Sequence, residues 1–258
     1  MTKTCSYLLC AFMLTSSAAL ASDPSSKKMI KLYSNQVPGS VYDQWLSKVY
    51  HDLYNRLGVR VQVIDLSEVR ASKDADSGKI DGQFGRVFDY QQNHPNQIRI
   101  DVPIYQVTFE AYTHKNSGIR LEGGWQSLDN EAIRVDYRRG VINAEENLSN
   151  DHAYTLQSVT NIVEGFQKLS THSSDLFIHA NIGAFPYLAS KPFKNIIISA
   201  GVMDVQPMYH YISQNQKALA PKIEQTLSEM INDGTVLKYC TETVDKSGGD
   251  LCQVLIAQ

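Results

Sequence analysis

The chain has 258 residues, 43% of them apolar and 20% charged, with a formal net charge of −3. So mild and mixed a balance argues against nucleic acid or an anionic membrane surface as the principal partner. The length is large for one domain and comfortable for two, so a sizeable core is available.

The amino terminus reads as a cleaved export signal. Lys3 supplies the positive flank, residues 7–14 are largely apolar, and Ala19-Leu20-Ala21 gives the small-x-small pattern before Ser22. The apolar run is too short for a mature membrane span. Lipid anchoring through Cys10 is the competing reading, but Leu8 and Leu9 are bulky where that processing wants a small residue. Export places the protein in the periplasm, an oxidising compartment. Cys5 and Cys10 leave with the signal, so Cys240 and Cys252 are expected to form a disulfide that pins the carboxyl-terminal tail. As metal ligands they would be too few, with no histidine nearby.

After a polar leader, residues 29–33 alternate into a first strand. The turn formers of 34–39 follow, and Ser40 is placed to cap a helix with Asp43 in its first turn. Val41, Trp45, Val49, Leu53 and Leu57 recur every four residues up to Gly58, the clearest helical stripe in the chain. Val59, Val61 and Val63 make a second strand, and residues 66–77 a polar helix stopped at Ser77-Gly78. A third strand ends in Gly82-Gln83-Phe84-Gly85-Arg86, where the two glycines suggest that a ligand comes close to the main chain. Strand, helix, strand, helix, strand is the signature of a parallel sheet with crossover helices.

Residues 87–93 read as a helix stopped by His94-Pro95-Asn96. Two strands follow, at 98–100 and 107–112, separated by Pro103-Ile104-Tyr105. Past Gly118 and Gly123-Gly124 the alternation restarts. There is a helical turn at 125–128, a strand at 132–137, a helix to about residue 148, a short strand near 156–159, and a helical stripe on Val159, Ile162, Val163, Phe166 and Leu169. A strand at 175–180, a helix at 182–188 and a strand at 193–199 complete a second α/β unit. Residues 208–212 are a strand or a helix start, and Pro221 opens a helix carrying Leu219, Ile223, Leu227, Met230 and Ile231 that ends at Asn232-Asp233-Gly234.

Taken in order and spacing, these pieces resemble the type II periplasmic solute-binding proteins, in particular the extracellular solute-binding family 3. The residues that carry the resemblance are Gly78-Lys79-Ile80-Asp81-Gly82, Val102-Pro103-Ile104-Tyr105, Ile133-Arg134-Val135 with Gly140, Asp175-Leu176-Phe177-Ile178, and the stretch from Ala218-Leu219 to Asp233-Gly234. The resemblance implies two α/β lobes, each a mostly parallel sheet flanked by helices, joined by two crossing strands and closing on a small ligand by hinge motion. Lobe one would hold residues 28–110 and 205–258, lobe two residues 111–204, with crossings near 108–114 and 199–206. It implies a monomer that delivers its ligand to the permease of an ABC transporter, with no cofactor or metal. A sensory protein of the same fold, or a secreted α/β enzyme, is the alternative. The sequence departs from amino-acid-binding members near Asn93, which has no arginine, and at Ala180-Asn181, where those members place an aspartate for the ligand's ammonium.

Five residues are candidates for ligand contact. Arg86 could hold a carboxylate or phosphate bidentately, or could be a structural partner of Asp81 or Asp89. Arg138, beside Arg139, precedes a helix whose amides could hold an anion, or is simply solvated. Tyr33 and Asn35 follow the first strand, though Tyr33 could equally be core. Asn181 could offer its amide to a polar ligand or cap the next helix. No zinc-hydrolase, nucleophile-elbow or phosphate-loop motif occurs in the chain, and its seven histidines are scattered, so catalysis has little support.

Overall fold

The structure, a computed structural model, describes residues 28–129, 132–149, 153–245 and 251–256. The export signal and its cleavage point lie outside the described residues. Among the described residues, eight strands form one mixed sheet in the order β2-β1-β3-β8-β4-β7-β5-β6. They are β1 (Met29–Tyr33), β2 (Arg60–Ile64), β3 (Gly82–Arg86), β4 (Gln97–His114), β5 (Arg134–Arg138), β6 (Thr155–Val159), β7 (Leu176–Ala180) and β8 (Ile197–Ser213). β1 pairs in parallel with β2 and β3, and β5 likewise with β6 and β7. The same plan thus occurs twice, with the antiparallel pair β4/β8 between the two halves. This is a two-lobed α/β architecture.

In the first half, α1 (Val41–Arg56) forms as its stripe dictates. The Ser40 hydroxyl caps it by accepting the Asp43 N–H at 3.2 Å. It buries Tyr42, Trp45, Leu46, Val49, Tyr50, Leu53 and Tyr54, and burying such side chains contributes roughly 1.5–3 kcal/mol each. Phe84 of β3 stacks on Tyr50, with centroids 3.9 Å apart. α2 (Glu68–Asp76) ends at Ser77, and Gly78 takes φ +72°, a left-handed conformation that suits glycine. In the second half, α5 (Ile162–Ser170) and α6 (Asn181–Leu188) cover one face of the sheet around Phe166 and Phe177. Gly165 makes room there, because a Cβ would lie 2.6 Å from the Phe177 ring.

Several expectations need correction. The strands expected at 98–100 and 107–112 are one strand of 18 residues, β4. Pro103 lacks an amide donor, and it sits between two shifts of register against β8, where it breaks no regular ladder. The strand at 193–199 and the uncertain segment at 208–212 are likewise parts of β8, which starts at Ile197. The helices after β3 and β5 are short, α3 (Tyr90–Asn93) and α4 (Ile142–Asn147), and Val159 ends β6 instead of joining the α5 stripe. The chain also stays helical beyond Gly234. α7 (Ala220–Asn232) is followed by α8 (Thr235–Thr243) and α9 (Leu251–Ile256). Cys240 of α8 and Cys252 of α9 are buried and joined as a disulfide. No helix among the described residues is long and apolar enough to cross a membrane.

The crossing also sits slightly off the expected segments. β3 pairs with β8 only from Tyr209 onward, and β7 pairs with β4 only from Phe109 onward. Between these limits, residues 105–108 of β4 and 205–208 of β8 pair, among the described strands, only with each other. Two bonded strands are the narrow connection between the halves.

Candidate functional site

In an open α/β sheet, ligands bind beyond the carboxyl ends of the parallel strands. Each of the five candidates lies at such an end: Tyr33, Arg86 and Arg138 are the last residues of β1, β3 and β5, and Asn35 and Asn181 come just after β1 and β7.

At the end of β3, Arg86 is 7% exposed. Gln83 and Arg86 are three apart, which in a regular strand would place them on opposite faces. Against β8, however, Gln83 pairs with Tyr211 and Arg86 with Tyr209, so three steps on β3 match two on its partner. The bulge returns both side chains to one side. The guanidinium donates Nε (3.2 Å) and Nη2 (2.8 Å) to the Gln83 Oε1 and lies over the rings of Tyr90 (4.9 Å) and Tyr33 (5.6 Å). Gln83 Nε2 donates to the Tyr90 hydroxyl, which donates to Ser72 Oγ. Arg86 is therefore built into lobe one. Asp81, one of its expected partners, instead accepts the Lys31 N–H (2.8 Å) and Gln216 Nε2 (2.6 Å).

The glycines of this strand correct a second expectation. Gly82 and Gly85 make room for the protein itself. A Cβ on Gly82 would lie 2.6 Å from the Tyr211 carbonyl oxygen, and one on Gly85 would collide with the Tyr105 hydroxyl. Asn35 is partly buried beyond β1, and its Nδ2 donates to the Gly85 carbonyl at 3.1 Å. Tyr33 is buried with Ala71, Ala75 and Ile80.

Below the bulge, His210 of β8 is fully buried. Its Nδ1 lies 2.9 Å from the Gln83 carbonyl, which can only accept, so Nδ1 carries the proton. Nε2 then accepts the Tyr54 hydroxyl at 2.6 Å. Burial pulls the imidazole pKa down to about 4.

In lobe two, Arg138 is exposed at the end of β5, as is Arg139, whose Nη2 donates to Ser158 Oγ at 3.3 Å. Asn143, in the first turn of α4, donates Nδ2 to Asp204 Oδ2 of β8 at 2.7 Å. At the end of β7, Asn181 is 3% exposed, and its Oδ1 accepts both the Thr108 N–H (3.3 Å) and the Ile182 N–H (2.7 Å). Asn181 is thus the first residue of α6 and not its cap, which is Ala180, and its side chain adds one bond beside the Phe109–Ala180 pair. His179 is also buried, with its ring against Gly183, and burial lowers its pKa.

Sequence reasoning missed Gln83, Tyr90, Thr108 and the Asn143–Asp204 pair. A signal existed only for Gln83, a polar residue in a strand buried along its whole length. Among the described residues no group of three or more His, Cys, Asp or Glu side chains is placed to hold a metal ion.

No family model matches the chain. An uncharacterized protein of Shewanella oneidensis is 29% identical over 203 residues, which span 78% of this chain and 76% of that protein. Among solved structures, an ancestral arginine-binding protein bound to arginine superimposes with a TM-score of 0.60 at 16% identity, covering 84% of this chain and 99% of the other. The periplasmic binding protein of the arginine 3rd transport system of Legionella pneumophila gives 0.60 at 15% identity, with 84% and 100% covered. The substrate-binding protein of an amino acid ABC transporter gives 0.56 at 14%, with 84% and 99% covered. These likenesses show the fold: it is that of the two-lobed, amino-acid-binding periplasmic proteins of the solute-binding family 3 type.

Proposed function

We propose that the protein is a periplasmic solute-binding protein. It captures a small polar or anionic solute between its lobes and, as a monomer, presents it to a membrane transporter. The observation that carries this reading is the convergence at the β4/β8 crossing. There the carboxyl ends of two three-stranded parallel halves meet across a two-stranded connection, in a fold whose solved relatives are binding proteins.

The arginine-binding neighbours favour a cationic ligand by analogy. The side chains of this chain support the other choice, because exposed Arg138 and the Asn181 amide stand at the strand ends of lobe two. The role is binding, not catalysis.

Native mass spectrometry of protein purified without unfolding tests capture directly. A co-purifying small molecule, released on denaturation and identified by accurate mass, is the expected result. Small-angle scattering with that molecule restored should show a more compact particle, as ligand shifts the lobes toward a closed arrangement. Turnover of chromogenic esters or phosphates by the pure protein would overturn the reading in favour of a secreted enzyme.

A further inference from the structure

The β4/β8 crossing has a weak point within it. Gln106 of β4 stands opposite Pro207 of β8, and proline has no amide N–H to give to the ladder. β7 joins β4 only from Phe109 onward, so among the described strands no other one supports this rung. A neighbour of another kind does. Gln106 is half-buried, and its Nε2 donates to the Val254 carbonyl of α9 at 2.8 Å, across 148 residues of chain.

α9 gains from this bond as well. It has six residues, and a helix so short is marginal by itself. The last four carbonyls of a helix have no partner within it, and that of Val254 is among them. Gln106 satisfies it from outside. The other anchors of α9 belong to lobe one. Cys252 is bridged to Cys240 of α8, and its N–H donates to Asp245 Oδ1 at 3.2 Å. α8 is held in turn by α1, whose Trp45 Nε1 donates to the Val236 carbonyl at 3.3 Å. Leu255 is fully buried in the same cluster as Tyr105 and Val107, the residues that flank Gln106. A bond therefore runs from the body of lobe one to the segment on which the lobes turn.

We infer that α9 is a brace on the two-stranded connection, anchored by the disulfide at one end and by Gln106 at the other. Gln106 is then a positioning residue outside the cleft, which favours one arrangement of the lobes over the rest. The inference rests on the solute-capture reading and adds a control point to it. Whatever fixes the relative populations of the lobe arrangements also fixes how tightly a solute between them is held. One neutral hydrogen bond is enough to move such an equilibrium about two- to tenfold.

The test measures the distance between the lobes in solute-free protein. Nitroxide labels on Lys73→Cys in α2 and Gln167→Cys in α5, both exposed, report it by pulsed electron spin resonance. Bridged Cys240 and Cys252 take no label. Gln106→Met keeps the length of the side chain but has no donor, and Gln106→Glu sets an acceptor against the Val254 carbonyl. Cys240→Ala/Cys252→Ala releases the other end of the brace. In each, the population outside the principal wild-type distance should rise about two- to tenfold. The wild-type distribution in any one of these variants, once folded, overturns the inference, and should one fail to fold the others decide. No solute enters the measurement, so a brace that fails leaves capture standing. Protein that carries no small molecule through purification counts against capture alone.

Discussion

Arg86 and Gln83 of β3 lie three residues apart yet share one side of their strand. Both Nε and Nη2 of the guanidinium reach the same oxygen, Gln83 Oε1. The pairing depends on the bulge between them, and the Tyr90 and Tyr33 rings flank the cation. An arginine held this way contributes to lobe one before any ligand arrives. Arg86→Ala should therefore lower the stability of the ligand-free protein by about 2–4 kcal/mol, since it strands Gln83 in a buried strand and removes the stacked cation. Arg86→Lys should recover only part, because an ammonium has no planar fork. Urea unfolding without ligand measures both. A ligand-free stability that barely moves, together with a collapse of affinity, would return Arg86 to the role of ligand contact.

Gly85 and Tyr105 make a second coupled pair. The Gly85→Ala Cβ would collide with the Tyr105 hydroxyl and lie 2.9 Å from ring atoms that pack edge-on against Trp45. Overpacking of that kind should cost about 1–3 kcal/mol. Tyr105→Phe alone should be near neutral, since the hydroxyl is buried with no hydrogen-bond partner among the described residues. In the double variant the missing hydroxyl should relieve part of the clash, and a double-mutant cycle by thermal or urea unfolding gives the coupling. Strict additivity would show that the strand moves away and leaves Tyr105 untouched.

These two pairs mark where the sequence was legible and where it was not. The alternation of β1, the four-residue stripe of α1 and its Ser40 cap are local patterns, and the structure repeats them closely. The bulge at Gln83–Arg86 depends on pairing with β8, more than a hundred residues away, and no local pattern carries it. Pro103 looked like a break because its cost is local, whereas the register shifts that accommodate it are not. α8 was missed because Thr-Val-Leu-Lys-Tyr-Cys-Thr-Glu-Thr has poor intrinsic helix propensity. Packing on α1 overrides that, through buried Val236 and Cys240 and the Tyr239–Asp52 hydrogen bond. At the site, the position of Asn181 could be read from the sequence. The direction in which its amide points could not, since Thr108 sets it.

His210 should make stability depend on pH. Its pKa is about 4 in the folded protein against 6.5 for an unperturbed histidine, so the unfolded chain takes up the proton first. Its contribution is complete above about pH 6.5 and is lost as the pH falls from there through about 4, a total of about 3 kcal/mol. The depressed carboxylates Asp74 and Asp175 act in the same direction but below the ordinary carboxylate range, in a lower window. Urea midpoints across mildly acidic pH should show the slope, and the His210 imidazole resonances should stay neutral in form down to about pH 5. An imidazole that titrates near 6.5 would disprove the buried Tyr54–His210–Gln83 arrangement.

The Cys240–Cys252 bridge closes a loop with a sequence separation of 12 and ties α9 to α8. By loop-closure entropy, breaking it should cost about 3 kcal/mol. Peptide mapping without reductant should find the linked peptide. Unfolding of the Cys240→Ala/Cys252→Ala variant should show the loss, and an unchanged midpoint would mean that the unlinked tail is already held by Leu255 and the contact of Gln106 with the Val254 carbonyl.

The two-strand connection has a mechanical consequence. Residues 105–108 and 205–208 are bonded to each other and, among the described strands, to no third one, so any rotation of one lobe against the other is taken up as torsion of a single ribbon. Two separate linkers could swing independently. A ribbon behaves as one spring whose rest angle is set by its own backbone, including Pro207 within it and the register shift between Phe109 and Glu110 just beyond it. Altering that rest angle would bias the balance between open and closed forms, and so tune apparent affinity, without touching a single ligand-facing side chain.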